Sequence, residues 1–450
     1  MKLTLFPADK GDCFLVTSSD GRRMLVDGGM SSSYKRFVAP TMAGLAAAGE
    51  KLDLICISHI DQDHIAGILQ MLDSIAEWHV HEFQLSTGNG DHRPPEAGRP
   101  PEIAEIWHNA FEDQVGDNAD AITDALAASG LILSGAAEDE LRDQSEQRQD
   151  LVTSVGEAIR VSRRIHPDQL GIPLNTPFGG GLVQAPEAGA PVTVAFGSAT
   201  ITVIAPFAEQ LADLSDDWAK WLSDNADALD DIATRAAADA EVIGTSLQGV
   251  VAPLEAQAQV LGADLVAAAL GDINKVTVPN LASIMLLLEE DATTFLLTGD
   301  GHSDHILKGL ELTGHLAADA TSGMHVSVLK VQHHGSEHNI DEQFAQRITA
   351  DNYVFCADGA HTNPEVEAVE VILASRLGDD GHRSTNPEAT RPFTFWFNSS
   401  PEFATSDARR AHLETVRHLV ETAASGANGQ LRVEFRTQQQ EENAGWDVFP

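Results

Sequence analysis

The segment His59-Ile60-Asp61-Gln62-Asp63-His64 sets two imidazoles and two carboxylates within six positions, directly after the apolar run Leu52-Asp53-Leu54-Ile55-Cys56-Ile57. Imidazole nitrogen and carboxylate oxygen are the neutral-pH ligands of Zn²⁺, Mn²⁺ and Fe²⁺, and a loop leaving a buried strand can make such groups converge on one point. The expectation is a catalytic metal site. Three other strand-like runs end in residues of the same kind: Leu25-Val26-Asp27-Gly28-Gly29, Leu297-Thr298-Gly299-Asp300 and Gln332-His333-His334-Gly335-Ser336. Each is weak alone, because Asp-Gly-Gly after a strand is ordinarily a turn and paired histidines commonly divide into one core and one surface residue. Taken together, they describe a site where several loops meet at one edge of a sandwich.

The elements that must carry these groups are legible as alternating apolar runs. Leu3 to Phe6, Cys13 to Thr17, Arg23 to Val26 and Leu52 to Ile57 read as strands, with a helix-like Phe37 to Ala48 between the last two. After His64, the spacing of Ile65, Ile68, Leu69 and Leu72 gives a helix, so the ligand loop should cap a helix N-terminus. Strand signals return at Val192 to Phe196, Thr200 to Ala205, Ser283 to Leu288, Thr294 to Leu297 (a hairpin with the preceding run), Val326 to Val331 and Tyr353 to Cys356. A helix Glu365 to Arg376, a strand Phe393 to Phe397, a helix Asp407 to Thr422 and a strand Leu431 to Phe435 complete the chain. Strands, then helices, then strands again fit a two-sheet α/β sandwich better than a doubly wound sheet. We expect one domain over residues 1–450, with helical or loop insertions at about 90–190 and 207–270 and an α/β extension at about 391–450.

Composition narrows the partners. With 450 residues and 43% hydrophobic side chains, the chain has ample material for a core. The net charge of −40 argues against a broad duplex-binding surface, which would gain affinity from Lys and Arg. Cys13, Cys56 and Cys356 lie far apart in apolar runs without CxxC spacing, which points to core residues rather than a disulfide framework or structural zinc site. No apolar run reaches about 18 residues, and Met1 to Pro7 is too quickly broken for a signal peptide, so a cytoplasmic protein is expected. Other groups carry less. Trp78-His79-Val80-His81 alternates like an exposed strand face, His302 and His305 follow Asp300 on a helix, and Gly179-Gly180-Gly181 lacks the strand, helix and lysine of a phosphate loop.

In this order the motifs resemble the metallo-β-lactamase fold superfamily, which implies a four-layer αββα sandwich with helical insertions. Among its branches, the chain looks closest to the nuclease-like domain of ComEC competence proteins and their stand-alone relatives. The resemblance rests on His59-x-Asp61-x-Asp63-His64, Asn280-Leu281-Ala282-Ser283, Leu297-Thr298-Gly299-Asp300 and His333-His334-Gly335-Ser336. His361-Thr362-Asn363-Pro364 resembles a later His-Pro turn, and Lys10-Gly11-Asp12-Cys13 a Gly-Asp turn. Carried over by position, His59 and Asp61 face a first metal, Asp63 and His64 a second, and Asp300 bridges. His333 or His334 completes the second site, with His333 preferred because it leaves the strand first. Asp27 and Asn280 support from behind the ligands.

An aspartate at 61 and an asparagine at 280 stand where the wider superfamily has histidines. An oxygen-rich first site moves preference from Zn²⁺ toward Mn²⁺ or Mg²⁺. The implied activity is a metal-dependent hydrolase, a phosphodiesterase or nuclease in which one or two divalent ions (Zn or Mn) activate water. Asp63 would steer the attacking water, while His361 and Ser336 would serve the leaving oxygen or a phosphate. The substrate would be a nucleic acid or a nucleotide, without membrane association. The competing reading is a partner-regulated effector, a toxic or defence-type nuclease whose acidic helical insertions dock other proteins.

Overall fold

In the computed structural model, the described residues are 1–115, 156–224, 282–319, 322–379, 381–437 and 445–449, with the single positions 121, 154, 226, 227, 230 and 234. They form two sheets. The first has the order β14-β1-β2-β3-β4-β5, built from β1 (Lys2–Leu5), β2 (Phe14–Thr17), β3 (Arg23–Val26), β4 (Leu54–Cys56), β5 (Ile106–Trp107) and β14 (Trp446–Phe449). The second has the order β13-β12-β11-β10-β9-β8-β7-β6, from β6 (Thr193–Phe196), β7 (Ala199–Ala205), β8 (Met285–Glu290), β9 (Thr293–Leu297), β10 (Met324–Lys330), β11 (Ile348–Phe355), β12 (Phe393–Phe397) and β13 (Leu431–Phe435).

The period of two along each strand decides which layer each side chain joins. In β3 and β4, Leu25 and Ile55 turn outward to pack with Ile65, Ile68, Leu69 and Leu72 of the Gln62–Ser86 helix. Their neighbours Met24, Val26, Leu54 and Cys56 turn inward against Ile201, Leu286, Leu297 and Val328 of the second sheet. The far face of that sheet, through Leu287, Leu296, Leu329 and Tyr353, packs with Ile306 and Leu310, with Val369 and Ile372, and with Val416 and Val420 of three helices. Helix, sheet, sheet, helix is thus the layer order, the four-layer αββα sandwich that the sequence implies. Because β4 is buried on both faces, it reads as a continuous apolar run, as expected of a parallel strand.

Parallel pairing also places the site. The strands β3, β4 and β5 run parallel, as do β9 to β13, so the loops leaving β3, β4, β9, β10 and β11 open at the carboxyl ends of their strands. Three local differences from the sequence reading have physical causes. Trp78 to His81 form no strand face: they continue the helix Gln62–Ser86, 25 residues long, whose packing outweighs the local alternation. That helix begins at Gln62, not after His64, with Asp61 extended at its N-cap, so Asp63 and His64 occupy its first turn. The tail also supplies β14, whose four residues pair antiparallel with β1 at the edge of the first sheet. Most of the acidic insertions expected within 113–150 and 209–269, and Asn280, lie outside the described residues; the Ala208–Asp224 helix is the described part of the second. Among the described residues no helix is long and apolar enough to cross a membrane. All three cysteines are buried and free.

Candidate metal centre

The Asp300 carboxylate is the hub of the site. It leaves β9 through Gly299, and its backbone N–H donates to Ser283 Oγ at 3.2 Å. Its Oδ2 lies 3.3 Å from His64 Nε2, 3.2 Å from His334 Nε2, 3.8 Å from His59 Nε2 and 3.8 Å from His333 Nε2. Four imidazoles therefore point the same ring nitrogen at one oxygen. Asp61 Oδ2 is 3.5 Å from His59 Nε2, and Asp63 Oδ2 is 3.5 Å from His334 Nε2.

The opposite ring nitrogens each face a polar partner from behind, which orients the rings. Asp27, fully buried, accepts from Ser58 N at 2.7 Å, from Ser58 Oγ at 2.8 Å and from His64 Nδ1 at 2.9 Å. Since the Ser58 hydroxyl donates to Asp27, its lone pair is left to receive His59 Nδ1–H at 3.0 Å. His334 Nδ1 faces Asp12 Oδ1 at 3.2 Å. His333 Nδ1 is 2.7 Å from Asn339 Oδ1, whose amide nitrogen donates to Asp300 O at 3.0 Å, so the amide must accept from His333. All four Nε2 atoms are thereby turned toward Asp300 Oδ2.

Close approach of backbone makes this packing feasible. A methyl at Gly67 would stand 2.0 Å from Gly28 O, and one at Gly11 would stand 1.7 Å from Asp63 O. Glycine at 28 and 67 lets the loop after β3 lie on the first turns of the long helix, bringing Asp27 to His64. Glycine at 11 brings Asp12 beside Asp63. His333 (φ 44°, ψ 52°) and His334 (φ 55°, ψ 13°) are consecutive left-handed residues, a conformation costing about 1–2 kcal/mol each outside glycine. Such strain is characteristic of functional positions.

Two residues that the sequence reading did not assign are central. Asp12 had appeared only as part of a Gly-Asp turn, and Lys330 only as the polar member of a strand. Lys330, 1% exposed at the end of β10, places Nζ 2.5 Å from Asp12 Oδ2, 3.3 Å from Asp300 Oδ1 and 2.7 Å from Gly299 O. Lysine in the run Val326-Ser327-Val328-Leu329-Lys330, on the face of Val326 and Val328, was the available signal: a cation on an inward face requires buried anions.

The electrostatics follow from burial opposed by charge. For Asp300, burial is outweighed by His334, His64 and Lys330, which hold its carboxyl well below the usual range. Burial also opposes ionisation of Asp63, but the hydrogen bond from His334 and the charges of His64 and His334 bring it below its ordinary value. His64 and His334 are raised well above an ordinary imidazole, because Asp300, with Asp27 for one and Asp12 for the other, overrides desolvation. His333 moves the other way, lowered chiefly by burial.

A divalent ion fits this donor set. The Nε2 atoms of His59 and His64 are buried without a hydrogen bond, and Asp12, His64, Asp300 and His334 offer ligand atoms all within 4.8 Å of one another. A cation would be held by these same atoms in place of the protons that His64 and His334 carry without it.

Residues 7–123 match the metallo-beta-lactamase superfamily model. The matched stretch carries Asp12, Asp27, His59, Asp61, Asp63 and His64; Asp300 and the two consecutive histidines come from beyond it. No curated protein matches the chain. Metallo-beta-lactamase superfamily members are mostly hydrolases using divalent metals, which suggests a metal-dependent hydrolase here, and the buried Asp/His cluster is compatible with metal binding. The two mixed sheets with their helices are consistent with that superfamily's sandwich.

The remaining expected residues lie beside the cluster. Ser336 is buried, with Oγ 3.3 Å from Glu365 Oε2. His361 is exposed on a left-handed turn (φ 50°), and Pro364 of that turn stands 2.7 Å from where a methyl on Gly335 would be. The turn therefore abuts the histidine loop with the His361 ring at the surface.

Proposed function

We propose that this protein is a divalent-metal phosphodiesterase, a nuclease or nucleotide hydrolase similar to the ComEC-type branch. The observation that carries this reading is the set of carboxylates on the Nε2 side of the imidazoles: Asp61, Asp63 and Asp300, with Asp61 3.5 Å from His59 Nε2 at the position where the superfamily it resembles has a histidine. Hard oxygen ligands favour Mn²⁺ or Mg²⁺, ions suited to phosphate oxygens. When bound, the metal would supply Lewis acidity and an activated water.

The chain's own residues would divide the remaining work. Asp63, ionised across the neutral range and 17% exposed, would orient the water and accept its proton. His361, at the surface beside the histidine loop, would meet the leaving oxygen, and Ser336 Oγ, turning its proton away from Glu365, would donate to a phosphate oxygen. With a net charge of −40, the substrate favoured is a small nucleotide or a single strand, since a long duplex would be repelled. The cytoplasm is the compartment proposed.

The test is hydrolysis of single-stranded DNA, duplex DNA, RNA and bis-p-nitrophenyl phosphate by the metal-stripped protein, titrated separately with Mn²⁺, Mg²⁺ and Zn²⁺. Activity on at least one phosphodiester is expected, greatest with Mn²⁺, and Asp63→Asn should lower it by about 10²–10⁴ with the circular dichroism spectrum unchanged. Inactivity toward all four substrates with every metal, or full activity of Asp63→Asn, overturns the reading.

A further inference from the structure

The run Trp78-His79-Val80-His81, which lies on the long helix, buries its second histidine and not its valine. His81 is 8% exposed, whereas the apolar neighbours Val80 and Phe83 remain 54% and 63% exposed. The fold thus covers an imidazole where it leaves hydrophobic groups in water, and a buried polar ring requires a partner. That partner is His92, with the two Nδ1 atoms 3.0 Å apart and the ring centres 5.2 Å apart. Two contacts pin the segment that follows His92 onto the helix: Trp78 Nε1 donates to Ala97 O at 3.1 Å, and Arg99 pairs with Glu82.

Nitrogens at that separation have the span of two ligands on one ion. At metal–nitrogen lengths of about 2.0–2.1 Å, a separation of 3.0 Å subtends an angle of about 91–97°. This is the right angle of square-planar or tetragonal Cu²⁺ and Ni²⁺ rather than the wider tetrahedral angle of Zn²⁺. His92 also lines an open hollow of about 520 Å³ with Asp73, Glu77, Val80 and Arg93. Asp73 is engaged by Arg160 at 2.9 Å and by Arg164 at 2.6 Å. Glu77, exposed and one helical turn before His81, is the carboxylate left to meet an entering cation, with Arg93 opposing it.

We propose that His81 and His92 form an accessory site for a late transition-metal ion of tetragonal preference, Cu²⁺ or Ni²⁺, held through both Nδ1 atoms, with Glu77 or water in the remaining positions. An ion bound there clips the segment from His92 to Arg99 onto the Gln62–Ser86 helix. His81 lies about 26 Å along that helix from His64, at 1.5 Å per residue, so the clip is distinct from the Asp300 centre. The proposal is independent of the phosphodiesterase reading.

The experiment counts copper in the full chain after chelation, reloading with Cu²⁺ and desalting, and reads nitrogen hyperfine structure by paramagnetic resonance. His81→Gln and His92→Gln should each hold one copper fewer than the wild type, and the double variant also one fewer, because the rings share an ion. The wild-type spectrum minus that of His92→Gln should show coupling to two nitrogens. His79→Gln, at the exposed histidine nearby, should keep the wild-type count. Equal copper in the wild type and both single variants, additive losses in the double variant, or the same loss in His79→Gln overturns the proposal, since a hydrogen-bonded pair or adventitious surface binding then suffices. His92 lies off the helix, so His92→Gln carries the test if His81→Gln does not fold. Copper held at this pair by a protein that hydrolyses no phosphodiester would defeat the proposed function and leave this site standing.

Discussion

The second sheet buries a cation near each end, and the two are satisfied in opposite ways. At the end away from the site, the fully buried Arg376 donates to Ala389 O at 3.0 Å, Arg391 O at 2.8 Å, Tyr353 Oη at 3.1 Å and Ala350 O, with its guanidinium 4.1 Å above the Phe393 ring. Neutral acceptors surround it. At the carboxyl end of β10, Lys330 meets two carboxylates and stands within a larger excess of them. The first arrangement is complete within the chain. The second gathers carboxylates and imidazoles whose protons a bound cation would replace, and this difference separates scaffold from site.

The comparison breaks most visibly by exchanging effects on activity and stability. Asp300→Asn removes the hub of the metal centre, and hydrolysis should fall at least about 10³-fold, roughly 4 kcal/mol of transition-state stabilisation. Metal content should fall with it, while thermal melting moves by only a few degrees because the carboxylate excess is relieved. Arg376→Met should do the reverse: kcat per folded molecule stays unchanged, and urea unfolding shows a loss of about 3 kcal/mol as three carbonyls lose the guanidinium donor. Equal activity losses in the two variants would show that the two ends are not separable.

A smaller effect comes from glycine pairs. At Gly67, a Cβ would collide with Gly28 O at 2.0 Å, so Gly67→Ala must push the Asp27 loop off the helix. We expect a loss of about 1–3 kcal/mol and metal affinity lower by about 10–100-fold, because Asp27 would no longer hold His64. Gly44, in the Ala39–Ala47 helix, has nothing within 4 Å of such an atom. Gly44→Ala should therefore stabilise by about 0.5–1 kcal/mol without touching metal affinity. Metal titration followed by thermal melts of the two variants decides the matter.

What the sequence disclosed follows the same line between scaffold and site. Strand runs such as Leu54 to Cys56 and Phe393 to Phe397 were legible because burial on both faces, or on alternate faces, writes a pattern into composition. The ligand-type residues were legible because His and Asp crowd at the ends of those runs. Lys330 and Asp12 escaped because a single lysine or aspartate says nothing until its partner, hundreds of positions away, is beside it. The continuation of the long helix through Trp78 to His81 escaped for a related reason, since an alternation of four residues is weaker than the helical spacing already established from Ile65. Nor could chain order reveal that His333 and His334 share one direction, which depends on two left-handed torsion pairs.

The histidines themselves offer the finest division. His108 follows β5 on the same sheet edge as His59 and is fully buried; among the described residues neither ring nitrogen has a hydrogen bond. Burial alone, with no carboxylate to oppose it, pushes its imidazole down to about 4, whereas Asp300 lifts His64 and His334. In the unfolded chain His108 takes its proton near pH 6.5, and in the folded protein only near pH 4, so it stays neutral through the interval. Stability from this group is complete above pH 6.5 and declines as pH falls toward 4, by up to about 3 kcal/mol. His108→Phe fills a similar volume without a titrating group, and should flatten that acid-side slope while leaving stability at pH 8 within about 1 kcal/mol. Urea midpoints measured from pH 8 to pH 4 test it: parallel slopes in variant and wild type would place the acid sensitivity in the metal centre instead, where His64 and His334 already hold their protons near neutrality in the metal-free protein.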